Sequence, residues 1–194
     1  MDAPAIEVAD GARPLPADAG TLRELLRVAV PLIISSGSLS VMGIIDRMLL
    51  TGLSIDALSA SMPAGTLHWT LLSPPFGVVT YVNTFVSQFD GAQRKKRVGA
   101  CIWQGLGLSL IGGLIISGLI PVVAAFPYNG HPPAVQHLEI QYYTILALGS
   151  TPILATNVFS AFFAGRGRTV IVMCVNLGAM VGNGLLDYGL IFGK

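Results

Sequence analysis

Three oxygen-bearing side chains set the question. Asp46 lies in VMGIIDRMLLTG, residues 41–52, near the end of an apolar run that begins around Val28. Asn183 and Asp187 lie four positions apart in a second apolar run near the end of the chain, a spacing that puts two oxygen ligands on one helical face. If those runs lie in a bilayer, a carboxylate in either is costly and usually functional. The chemistry open to such a set is narrow. Two neighbouring carboxylates in a poorly hydrated site disfavour the doubly charged state, so the pair can take up a proton near neutral pH or hold a cation such as Na⁺. The protonated and charged forms favour different surroundings, and that difference can shift a conformational population. Taken alone, Asp46 beside Arg47 has a plainer explanation, a helix end at the headgroups with Arg47 snorkelling outward. Adjacent helical residues point about 100° apart, so Arg47 reads as an anchor at the outer edge and not as a partner of Asp46.

The elements that must hold these groups are membrane helices. The chain has 194 residues, 53% of them hydrophobic and only 11% charged, against about 25% charged in a soluble domain. The fold class is therefore all-α integral membrane. A net charge of +1 gives no indication of a nucleic-acid partner. Cys101 and Cys174 lie in or beside apolar runs without C-x-x-C spacing and read as packing residues. A spanning helix needs about 20 mainly apolar residues, and five segments qualify: 25–50, 57–87, 98–126, 138–164 and 169–192. The second is interrupted by Pro74, Pro75 and Gly77 and is read as one kinked span. Residues 1–21, rich in Ala, Asp and Pro, have no apolar core and read as a disordered cytoplasmic tail ahead of a transmembrane bundle over 22–194.

Basic residues orient the spans. Arg13, Arg23 and Arg27 precede the first, Arg94–Arg97 fill the connection between the second and third, and Arg166 and Arg168 separate the fourth and fifth. These nine of eleven Lys and Arg residues share one side, leaving only Arg47 and Lys194 on the other. The amino terminus is thus expected in the cytoplasm of a multi-pass protein of the cell membrane. The RKKR run itself is chiefly this topological signal, with some affinity for anionic lipid. Five spans with nothing after the last suggest a chain truncated before a sixth.

With the orientation set, the two acids share a depth. Asp46 lies 19 positions after Arg27, and Asp187 lies 19 positions after Arg168. At 1.5 Å per residue each sits about 28 Å from the cytoplasmic boundary. Polar or adaptable residues lead to both. Pro31, Ser35, Ser38, Met42 and Asp46 make one stripe of the first span; Asn176, Met180, Asn183 and Asp187 make one stripe of the fifth. Thr80, Asn83, Thr84 and Ser87 follow compatible spacing in the second. Stripes of this kind are expected to line a cavity, although serine and asparagine in spans also serve helix packing. His68 is expected to satisfy a hydrogen bond or face an interface. His131 and His137, near the outer end of the fourth span, form no ligand set with an acid by spacing.

The order of VAVPLII, GIIDRMLLTG, VSQFDGAQRKKRVG, AFFAGRGRT and NGLLDYGLIFG resembles the multidrug and toxic compound extrusion (MATE) family, from about Leu22 onward. The resemblance implies two six-helix bundles around a substrate cavity, of which this chain supplies five helices of the amino-terminal one; the carboxyl-terminal half is a missing partner. It also implies roles. Asp46, Asn183 and Asp187 correspond to the family's cation-coupling site, for H⁺ or Na⁺, and Pro31 to its bending proline. Ser35, Ser38, Met42, Thr80, Asn83, Asn176 and Met180 are the expected cavity lining. The implied function is secondary export of small organic, often cationic, compounds by H⁺ or Na⁺ antiport, without a cofactor or catalytic residues and with membrane lipid as surroundings. A lipid-linked oligosaccharide flippase is an alternative, for which a more basic cavity is expected. An intramembrane aspartyl protease is a remote one, because neither Y-D nor G-x-G-D occurs at the two acids.

Overall fold

The computed structural model describes residues 21–125 and 131–192. The amino-terminal tail, the 126–130 connection and Gly193–Lys194 lie outside the described residues. All the regular structure among the described residues is helical: α1 (Leu22–Leu53), α2 (Ile55–Thr80), α3 (Val82–Gly91), α4 (Lys95–Gly118), α5 (Ile120–Ala125), α6 (Pro133–Leu148), α7 (Ser150–Gly165) and α8 (Thr169–Phe192). Three stretches are long and apolar enough to cross a bilayer, Leu25–Gly52, Lys95–Ala125 and Thr169–Leu190, and the bent pair α6–α7 makes a fourth.

Two elements differ from the sequence expectation. The segment 57–87, expected as one kinked span, is divided into α2 and α3. Helix α2 runs through Pro63, Pro74 and Pro75 and stops at Thr80, and the turn falls at Tyr81, whose N–H bonds to the Val78 carbonyl. Neither Pro nor Gly marks that position. The segment 138–164, expected as one span, is two helices bent by 42° at Gly149. Pro152, in the first turn of α7, supplies no N–H to the carbonyl one turn back and crowds it.

Helix α2, which carries His68, Asp56 and a series of Ser and Thr residues, is not among the four apolar elements. It packs against α6, α7, α4 and α1 through one face, where Ser61 and His68 are buried with Ala60, Ala64, Leu72 and Val79. Two buried clusters surround it. Ala64, Leu72, Ile116, Tyr143, Ala147 and Leu154 form one; Val79, Val82, Val86, Val98, Val158 and Ala161 form the other, toward Asp90 and Arg166. The outward faces are apolar instead: Ile33, Ile44, Trp103, Ile115, Leu185 and Leu190 are all exposed. That inversion suits a lipid solvent.

Close approach of α4 to α3, α2 and α7 depends on glycine. An added Cβ at Gly105 would lie 2.8 Å from the Val82 side chain, and at Gly112 it would lie 2.9 Å from Pro75. At Gly113 it would lie 2.7 Å from the Thr151 Cα, which is backbone and cannot rotate away. Small residues at such crossings let helix backbones meet where lipid supplies no hydrophobic drive. Gly113→Ala should therefore lower stability by about 1–3 kcal/mol, the usual overpacking cost. Gly107→Ala, with open space around the new Cβ, should leave it unchanged. The comparison is read as the thermal midpoint of the detergent-purified protein by size-exclusion chromatography.

Candidate functional site

Helices α1 and α8 lie along each other, and the two stripes read from the sequence meet in that seam. Pro31, Ser35 and Ser38 are buried on α1. The Asn176 amide of α8 donates to Ser35 Oγ, and Ser38 Oγ donates to the Ser35 carbonyl at 2.7 Å. Met42 and Met180 are half-buried farther along. Toward the carboxyl-terminal ends of α1 and α8 the side chains of Asp46 and Asp187 come together. The Oδ1 atoms of Asp46 and Asn183 are both buried without a hydrogen-bond donor.

Acceptors left this way in a low-dielectric site are costly, and a proton or a hard cation is what oxygen acceptors lack. Three residues from two helices thus make an acceptor-rich locus that fits H⁺ or Na⁺. Among the described residues no three His, Cys, Asp or Glu side chains form a metal cluster.

Asp46 also faces the other way. It lines a cavity of about 390 Å³ with Arg47 of α1, Ser61, Thr66 and Trp69 of α2, and Tyr142 of α6. Tyr142 stands within electrostatic reach of Asp46, Asp187 and Arg47. Asp46 is therefore the hinge between a closed seam and an open chamber. Arg47 lines the same chamber, where the sequence placed it only at the outer edge, and it makes no ion pair with Asp46 among the described residues.

Several expected lining residues lie elsewhere. Ser35 and Ser38, each 4% exposed, are seam residues and not chamber wall, because their hydroxyls are bonded within α1 and to α8. Thr80 Oγ1 accepts from Asn157 of α7 at 2.9 Å, and Asn83 lies against Gly165 at the end of α7. Both are on the α7 side of the bundle, away from Asp46, since α3 packs on α7 and α4. Pro31 sits inside an unbroken α1.

Sequence reasoning missed Tyr142, Trp69, Ser61 and Thr66. Depth offered a signal for Tyr142, which lies one turn inside the outer end of its span. Nothing in the spacing offered one for Trp69. His68 does face an interface: its Nε2 lies 2.9 Å from Ser150 Oγ of α7, in the core. Among the described residues His131 has a single acidic partner that spacing did not point to, its Nδ1 lying 2.6 Å from Oε1 of Glu139, which is fully buried on α6. Eight positions separate the two, and the chain turn before α6 closes that gap.

The sequence profile of one family, MatE, matches residues 31–188. The chain belongs to the MatE family. The match takes in Pro31, Asp46, Asn183 and Asp187, and the family is one of multi-pass membrane proteins. A "Multidrug resistance protein NorM" of Burkholderia vietnamiensis is 30% identical over 174 residues, covering 86% of this chain and 37% of that protein. A "Probable multidrug resistance protein NorM" of Bacillus licheniformis is 28% identical over 175 residues, covering 89% of this chain and 38% of the relative. The chain thus spans well under half the length of these relatives. A solved structure of a "MOP superfamily transporter from Pyrococcus furiosus", described by the "reverse polarity" of its binding pocket, superposes with a TM-score of 0.75 at 23% identity. It covers 88% of this chain and 38% of that one, and shows a shared fold.

The seam is testable apart from transport. In a double-mutant cycle of Ser35→Ala and Asn176→Ala, the coupling energy should be about 0.6 kcal/mol, the usual worth of a hydrogen bond between membrane helices. Thermal unfolding of the four proteins in detergent measures it.

Proposed function

We infer that this MatE chain forms the ion-coupling lobe of a secondary exporter of small organic, often cationic, compounds, driven by H⁺ or Na⁺ antiport. The observation that carries this reading is the meeting of Asp46 with Asp187 beside the unpartnered oxygens of Asp46 and Asn183. In the cation-free, deprotonated state the two carboxylates repel each other and press α1 away from α8 at the outer end. Uptake of a proton or Na⁺ removes that repulsion and draws the helices together. Because Asp46 also walls the chamber, the change alters the chamber's shape and charge where substrate would sit. Pro31, inside α1 with one backbone hydrogen bond removed, is the point at which α1 can bend in response. Antiport follows if a bound cation and a bound substrate favour different positions of α1, each displacing the other through a shared equilibrium. The NorM names of the relatives support multidrug export.

Family membership weighs against the protease alternative. The flippase alternative gains no support from a chamber whose wall holds Asp46 as well as Arg47.

Asp46→Asn and Asp187→Asn should each reduce ion-driven export by the full-length protein to background, while leaving its amount in the membrane unchanged. Efflux of a fluorescent organic cation, with immunoblotting of membranes, measures both. Wild-type export in either variant overturns the coupling role. The basic loops are assigned to the cytoplasm. In a background lacking Cys101 and Cys174, a membrane-impermeant maleimide should label Ile55→Cys in intact cells and Ala92→Cys only after permeabilisation. The opposite pattern reverses the orientation.

A further inference from the structure

On the face away from the acid pair, α2, α3 and α4 leave an apolar groove of about 490 Å³. Val78, Val82, Phe85 and Phe89 line one side and Cys101 and Leu108 the other. Along a helix these positions cover roughly 10–17 Å, comparable to one leaflet of a hydrocarbon core about 30 Å thick.

One end of the groove opens at the basic turn. The Arg97 guanidinium sits over the Phe89 ring, 5.6 Å from its centroid. It also belongs to a concave patch of about 410 Å³ formed by Gln93, Arg94, Lys95, Lys96 and Arg97. The nearest acid does not neutralise this patch. Asp90 is paired with Arg166, just past the end of α7, at 3.1 Å, and none of the four basic side chains is in an ion pair among the described residues. Gln93, with φ of 58°, reverses the chain so that the patch stands beside the groove mouth.

We propose that this groove and the basic turn together form a binding site for one anionic phospholipid, its acyl chain against Val82 and Phe85 and its phosphate between Arg94 and Arg97. Charge and shape select this occupant together. A zwitterionic lipid fills the groove equally well but gains no net attraction at the turn, whereas each basic side chain near an anionic headgroup favours it roughly fivefold. A free phosphate satisfies the arginines and leaves the groove unfilled. The site lies on a different face from the Asp46 chamber, so its occupancy is measured independently of export.

The test is quenching of a groove tryptophan by dibrominated lipid in vesicles containing the full chain. Phe85→Trp, with Trp69 and Trp103 replaced by Phe, reports on the groove. A second protein that keeps only Trp103, which is 77% exposed on α4 and outside the groove, reports on bulk lipid at similar depth. At Phe85→Trp, brominated phosphatidylglycerol should be preferred over brominated phosphatidylcholine by about fivefold or more. Arg94→Gln/Arg97→Gln, which leaves Lys95 and Lys96 in place, should lower the ratio severalfold, and Arg94→Lys/Arg97→Lys should retain it.

Equal preference at Trp103 and in the groove overturns the proposal, since the effect is then general surface attraction. So does loss of preference in the lysine pair. Weak and equal quenching by both lipids means that further protein fills the groove, and also overturns it. Abolition of the preference by millimolar inorganic phosphate, but not by chloride of equal ionic strength, assigns the turn to free phosphate and excludes the lipid.

Discussion

A polar side chain inside a bilayer has no water to turn to, so it must find protein, a proton or an ion, and the arrangement of this bundle follows from that demand. Asp46 on α1 and Asp187 on α8 are far apart in sequence, and each would be severely penalised facing lipid. Bringing α1 along α8 answers the demand for both polar stripes at once. Asn176 finds Ser35, Ser38 finds its own helix, and the acids find each other. The solution is incomplete toward the carboxyl-terminal ends of α1 and α8, where Asp46 and Asn183 keep oxygens without donors. Incomplete satisfaction confined to one place, in a seam otherwise satisfied, is what a site for an exchangeable cation requires.

The same demand explains where α2 keeps its polar groups. His68 is bonded to Ser150 in the core, and Ser61 and Thr66 lie on the chamber. Helices α6, α7 and α4 pack against α2. That packing needs close approach, which the α4 glycines permit, and the bend at Gly149 lets α6 and α7 follow different paths. Glu139, fully buried, is stabilised by His131 from the preceding turn. The buried Glu139 Oε2 and Tyr143 hydroxyl also lack partners, but the Asp46 locus combines a pair of acids with an open chamber.

Much of this architecture was legible in the sequence because lipid imposes long-range regularity on a chain. Length and apolarity placed α1, α4 and α8, since those helices have extensive lipid-facing surface. Matching distances from Arg27 and Arg168 put Asp46 and Asp187 at one depth, and helical periodicity put Asn176, Asn183 and Asp187 on one stripe. Those are one-dimensional properties, and a bilayer makes depth nearly one-dimensional as well. The same reading went astray where local chemistry was ambiguous. Paired prolines drew the eye away from Tyr81, where α2 gives way to α3, and a single Gly149 with Pro152 nearby gave little warning of the bend that α6–α7 has.

Rotation and neighbour choice belong to the tertiary structure alone. Depth and periodicity identify which residues share a stripe but not which helix that stripe will meet. So Ser35 and Ser38 turned out to be seam residues, and Thr80 and Asn83 turned toward α7. Tyr142 and Trp69 joined Asp46 in a chamber that no spacing announced. The sequence by itself determined an all-helical membrane bundle, its acids and their common depth, because hydrophobic length and charge position are properties of the chain. Only the packed bundle decided that Asp46 lies between a closed seam and an open chamber, because that depends on how eight helices rotate to bury their polar groups against one another.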